Sequence, residues 1–120
     1  MLQRSAFRPR KRNSGRAALT RSYPSHLKWL RGRSCILEGK AGHVCEGRME
    51  AMHVDHAGGK GVSLKVADFW AVPGCTLAHR LYHDHGAVSW EAAWGIDLVA
   101  AAERYAAVSP HRHLWTERAE

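Results

Sequence analysis

Histidine is the side chain best suited to move protons near neutral pH and to ligate metals. This chain concentrates it. Of nine histidines, six fall between residues 43 and 85: His43, His53, His56, His79, His83 and His85. His79 and His83 stand four apart in Cys75-Thr-Leu-Ala-His79-Arg-Leu-Tyr-His83. On a helix that spacing stacks both imidazoles on one face, one turn apart, where together they grip a single divalent ion. Upstream lies Glu50-Ala-Met-His53-Val-Asp55-His56. An extended chain there turns His53 and Asp55 to one side and His56 to the other. That sets a general-base candidate beside an anionic ligand candidate.

The three cysteines are Cys35, Cys45 and Cys75. No apolar export signal opens the chain, and an odd count outside a secretory setting argues against a disulfide framework. Reduced thiols, metal ligands or core packing are the remaining roles.

The elements that must position these residues are short. Pro24, flanked by Ser22 and Ser25, marks a helix start. Leu27, Trp29 and Leu30 carry that helix to about Gly32. Residues 34–62, rich in Gly, His and Cys, predict loops and short strands, with a flexible loop around Gly58, Gly59, Lys60 and Gly61. Val66 to Val72 reads as extended, ending at Pro73-Gly74. Residues 76–84 predict a short helix stopped by Gly86, and Ser89 a cap for the next. Trp90, Trp94, Leu98, Ala101, Ala102 and Tyr105 recur at helical spacing. Gly95 is placed to kink or split that helix, with Asp97 as a second cap. The expected organisation is a basic, disordered arm over 1–22, one domain over 23–110 and a tail over 111–120.

Taken in order, Glu50-Ala-Met-His53-Val, Lys65-Val-Ala-Asp68, Ala71-Val-Pro-Gly-Cys75 and His79 through His85-Gly86 resemble the HNH nucleases related to the phage recombination-enhancement (Ref-like) nuclease. The likeness runs from about residue 26 to 99. It implies an α+β fold, a small ββα-metal core with flanking helices. It implies His53 as the base that activates water, His79 and His83 as ligands of one divalent metal (Mg²⁺, Mn²⁺ or Zn²⁺), Asp68 as a brace and Lys65 as a phosphate contact.

Two departures from the family pattern bear on the chemistry. The residue before the base is usually Asp or His and helps hold the metal. Here it is Met52, a poor ligand for a hard cation. Asp55 is then the substitute ligand, or His79 and His83 work with phosphate and water alone. A second register pairs Asp55 as ligand with His56 as base. The family also commonly carries paired cysteines on a structural zinc. Here the position three after Cys75 is Ala78, so four cysteines are not available. Cys35, Cys45 and Cys75 completed by His43 stand as one reading, and ordinary buried thiols as the other.

The charge pattern bears on the partner. The chain carries a formal +7, yet residues 34–120 hold 8 Lys plus Arg against 11 acids, a sum of −3. The basic excess lies before them, where Arg8, Arg10, Lys11, Arg12 and Arg16 sit with no acid among residues 1–33. Such an arm suits DNA phosphates, single- or double-stranded; an idle tail and a transit peptide have similar composition. No apolar run is long enough to span a bilayer. The expectation is a cytoplasmic, metal-dependent endonuclease in phage or bacterial DNA recombination or processing, with DNA and a recombination partner protein as its expected partners. The alternatives are a non-catalytic zinc-binding DNA-binding module and an RNA-associated protein.

Overall fold

The computed structural model describes residues 22–58 and 67–116. The arm residues Arg8, Arg10, Lys11, Arg12 and Arg16, and Lys65, lie outside them. The described chain is a small mixed α+β fold. Helix α1 (Pro24–Arg31) is followed by strand β1 (Met49–His53), a 3₁₀ turn (Asp55–Gly58), strand β2 (Ala71–Cys75), and helices α2 (Thr76–Trp94), α3 (Leu98–Val108) and α4 (His113–Thr116). Among the described residues no helix is long and apolar enough to cross a membrane.

The two strands form one antiparallel sheet in the register Met49↔Cys75 through His53↔Ala71. Pro73 and Gly74, expected to end the extended stretch, lie inside β2 instead. A two-stranded sheet leaves β2 a free edge. The Pro73 carbonyl faces that edge and accepts from the Ile36 amide at 2.9 Å. A residue's N and C=O point the same way in a strand, so the nitrogen that carries no hydrogen also faces outward, where the ladder loses nothing. The extended stretch also starts later than expected, because Ala67 to Trp70 closes as a turn, with Trp70 N–H donating to Ala67 O at 3.0 Å.

Strand alternation divides the labour of β1. Met52 is fully buried and packs in the main core with Leu37, Val54, Val72, Ala78, Tyr82, Trp90 and Leu98. Met52 is thus a core residue, which accounts for its apolar side chain. His53, one residue on, turns the opposite way.

Cys75 ends β2 and caps α2, its Sγ accepting from the Ala78 amide at 3.4 Å. Gly86 (φ 83°, ψ 165°) kinks α2 where the first helix was expected to stop. The helix resumes at once, so Ser89 lies inside it and is not a cap. Trp90 ties the second half back, its Nε1–H donating to Ala78 O at 3.3 Å. Gly95 takes the left-handed conformation (φ 68°) and closes α2. Asp97 then caps α3, accepting from the Ala100 amide at 3.1 Å. Past residue 110 the chain stays packed: Trp115 of α4 is buried against Tyr23, Phe69 and Ala106. The expected tail is therefore structured through Thr116, because one large aromatic supplies the burial.

His26 of α1 is fully buried beside Trp29 and Trp115. Its Nδ1 is 3.0 Å from Ser109 Oγ, and its Nε2 has no hydrogen-bond partner among the described residues. Burial, then the nearby His111, lowers its pKa to about 4, with Asp68 opposing. The unfolded chain binds this proton near pH 6.5 and the folded chain only near 4. Stability is therefore full above about pH 6.5 and is lost as pH falls toward 4, by about 3 kcal/mol. Urea unfolding at pH 7 and pH 4.5 checks this. His26→Phe is expected to remove that share of the acid loss, and an equal loss in both proteins would assign it elsewhere.

Candidate functional site

Three groupings of side chains lie around the hairpin. The first joins β1 to α2. Its centre is His79, whose Nδ1 is 2.7 Å from Glu50 Oε1, while Thr76 Oγ1–H donates to Glu50 Oε2 at 2.8 Å. Bonds from His79 and Thr76 hold the Glu50 carboxyl below the usual range, so it is an anion at neutral pH. His79 Nδ1–H donates to that anion, which leaves the Nε2 lone pair pointing outward. That lone pair faces His83 Nε2 at 3.0 Å. Two ring nitrogens so close need a proton or a cation between them. Two imidazoles on one divalent ion stand about 3.0–3.4 Å apart, given metal–nitrogen bonds of about 2.0–2.1 Å. The pair therefore fits a metal, and a carboxylate behind a ligating imidazole is the usual means of fixing its tautomer.

The second grouping is His53 with Asp68. His53 Nε2 lies 2.9 Å from Asp68 Oδ1. Asp68 Oδ2 accepts from the Tyr23 amide at 2.7 Å and from Ser22 Oγ at 3.2 Å. The carboxylate is thus fixed by the entry to α1, and it fixes the imidazole in turn. With Nε2–H donating to Asp68, Nδ1 keeps a lone pair.

The third grouping is Cys35, His43, Cys45 and Cys75, whose ligand atoms all lie within 4.8 Å of one another. His43 Nε2 is 3.7 Å from Cys75 Sγ and 4.0 Å from Cys35 Sγ. Cys35 Sγ also accepts from the amides of Leu37 at 3.4 Å and Cys75 at 3.3 Å. The group could hold a metal ion. Burial raises the Cys75 thiol, but hydrogen bonds with the backbone of Ala78 and Glu46 and with the Cys35 and Cys45 thiols together more than offset it, so its pKa is lowered. Cys45 is exposed at the residue level, yet burial of its thiol and the neighbouring Cys35 and Cys75 push its pKa up to about 12. Three sulfurs cannot all be thiolates at this spacing without a cation among them. The loop that delivers His43 and Cys45 folds back through glycines at positive φ. Gly47 (φ +80°) is the tightest, since a Cβ there would stand 2.4 Å from Thr76 Oγ1.

The other expected site residues fall elsewhere. Asp55 is exposed, because β1 ends at His53 and a 3₁₀ turn follows. The expected shared side with His53 is lost with the extended backbone. Its amide donates to Tyr82 Oη at 3.0 Å, and its carboxylate pairs with no histidine among the described residues. His56 Nε2 is 3.7 Å from Glu91 Oε2. The sequence alone assigns no role to Glu50 or Thr76. Glu50 stands three residues before His53, so it faces the other side of β1; that offset was the available signal.

No protein-family model, curated protein or solved structure matches this chain.

Proposed function

We propose that this protein is a metal-dependent endonuclease of the HNH type that hydrolyses DNA phosphodiesters. The observation that carries the reading is the His79–His83 nitrogen pair at 3.0 Å, backed by Glu50, on the helix that directly follows a hairpin bearing His53. Strand, strand and helix in that order agree with the resemblance of the sequence.

In this reading His79 and His83 hold one divalent ion; imidazole ligation suits Zn²⁺ and tolerates others. A bound divalent ion supplies charge for a phosphate oxygen and for the departing oxygen. The chain's own residues do the proton work. His53 Nδ1 accepts a proton from water, whose oxygen attacks phosphorus as the ester P–O bond breaks; because His53 and Glu50 face opposite sides of β1, the reading requires the scissile phosphate to sit at the end of the strand, within reach of both faces. Asp68 holds the imidazole by Nε2 and stabilises the charge it gains. Cys35, His43, Cys45 and Cys75 bind a structural zinc, since three thiolates and one imidazole are a zinc donor set. The burial of Met52 favours one second reading. With no third protein ligand beside the base, the same residues would serve a non-catalytic zinc-binding DNA-binding module.

Supercoiled plasmid and single-stranded circles, incubated with EDTA, Mg²⁺, Mn²⁺ or Zn²⁺, separate the two. Metal-dependent nicking that the His79→Ala/His83→Ala variant loses is the expected result. Salt-sensitive binding by both proteins with no cleavage under any metal would replace the nuclease with the binding module.

A further inference from the structure

The end of α1 and the residues that lead into β1 meet in an open cleft of about 450 Å³, lined by Arg31, Arg48, Met49, Glu50 and Ala51. Its lining is chiefly polar, and its two cations come from positions 17 residues apart in sequence. Resting on the nuclease reading, we propose that Arg31 and Arg48 form a clamp for a DNA backbone phosphate next to the His79–His83 pair.

Three observations carry this. Among the described residues neither guanidinium is in an ion pair, so both charges are open to a ligand. The one carboxylate in the lining, Glu50, is committed: Oε1 to His79 and Oε2 to Thr76. It therefore neutralises the arginines only in part, and Arg48 in turn helps keep it ionised. Finally, Arg48 is held at the backbone. Its amide donates to Thr76 Oγ1 at 3.2 Å, and its carbonyl lies 3.2 Å from the same oxygen. Gly47 permits the close approach. Thr76 thus touches both the residue that presents the clamp and the carboxylate that orients His79. A strand anchored on the arginines lies beside the metal-binding pair. Arginine suits the task because its planar fork meets phosphate oxygens in pairs.

The test is the salt dependence of binding to a short duplex, which counts phosphates neutralised. Each lost contact lowers the log–log slope by about 0.9. Arg31→Gln/Arg48→Gln is expected to lower it by about 1.8, while Arg31→Lys/Arg48→Lys keeps it. Lys40→Gln/Arg104→Gln, which removes two cations from a different, mainly apolar cleft, is expected to leave it unchanged. An unchanged slope in the glutamine pair at residues 31 and 48, or an equal fall in the control pair, overturns the clamp. If plasmid nicking by the wild type persists in that case, the nuclease reading survives alone. A slope that falls as expected in a protein that never cleaves keeps the clamp and removes the nuclease. Failure of the wild type to bind the duplex overturns both.

Discussion

Chelation of the zinc proposed at Cys35, His43, Cys45 and Cys75 is expected to lower the melting temperature by more than about 10 °C, the size of a loss of several kcal/mol in a domain of this length. The reason is where the ligands sit. Cys75 is at once the last residue of β2, the cap of α2 and a member of the cluster. Cys35 Sγ takes the amides of Leu37 and Cys75. His43 and Cys45 come from a loop with little apolar content of its own. A two-stranded sheet of five-residue strands is marginal without such a tie. Metal analysis should find one more zinc per chain in the wild type than in Cys75→Ala, which should melt low with no further fall on chelation. Because Cys75→Ala also removes a cap, Cys45→Ser is the cleaner variant, since Cys45 is exposed. It should lose metal at chelator concentrations the wild type survives. A melting temperature indifferent to chelator would make the three residues plain thiols.

The elements legible in the sequence were those governed by local rules. Gly95 and Asp97 divide α2 from α3 as their types dictate, and His79 and His83 meet because four residues make one helical turn. What escaped depended on tertiary placement. Pro73 and Gly74 are strand breakers in general, but a strand with one neighbour tolerates them. The spacing of Cys35 and Cys45 gives no sign that glycine-led turns fold the intervening loop onto Cys75. Alternation along an extended chain would set Asp55 beside His53, but the strand ends two residues earlier. Trp115 is separated from Tyr23 by most of the chain, so no window of sequence joins them. Glu50 was visible as part of a motif, but its partner is 29 residues away.

His53→Ala is expected to lower plasmid cleavage by about 10²–10⁴-fold, the usual worth of a positioned general base, while binding to DNA and metal content stay as in the wild type. Position supports the size of the effect. The His53 side chain is 34 % exposed and that of Asp68 14 %, so the imidazole is open to a substrate while its partner is sheltered. Asp68 accepts from three donors, the His53 ring, the Tyr23 amide and Ser22 Oγ. Asp68→Asn cannot serve all three. An amide that still accepts from Tyr23 turns its NH₂ toward His53 Nε2, which must then become the acceptor. The ring proton moves to Nδ1, and the lone pair that takes the proton of water is lost. The asparagine variant should therefore lose kcat with KM unchanged, although the pair differs by one atom type. Added imidazole should restore part of the activity of His53→Ala and none to Asp68→Asn, whose ring still fills the site. If His53→Ala cleaves at the wild-type rate, the base lies elsewhere. His56 is then next to test, and its pairing with Glu91 at 3.7 Å makes His56→Ala and Glu91→Gln the matched pair of variants.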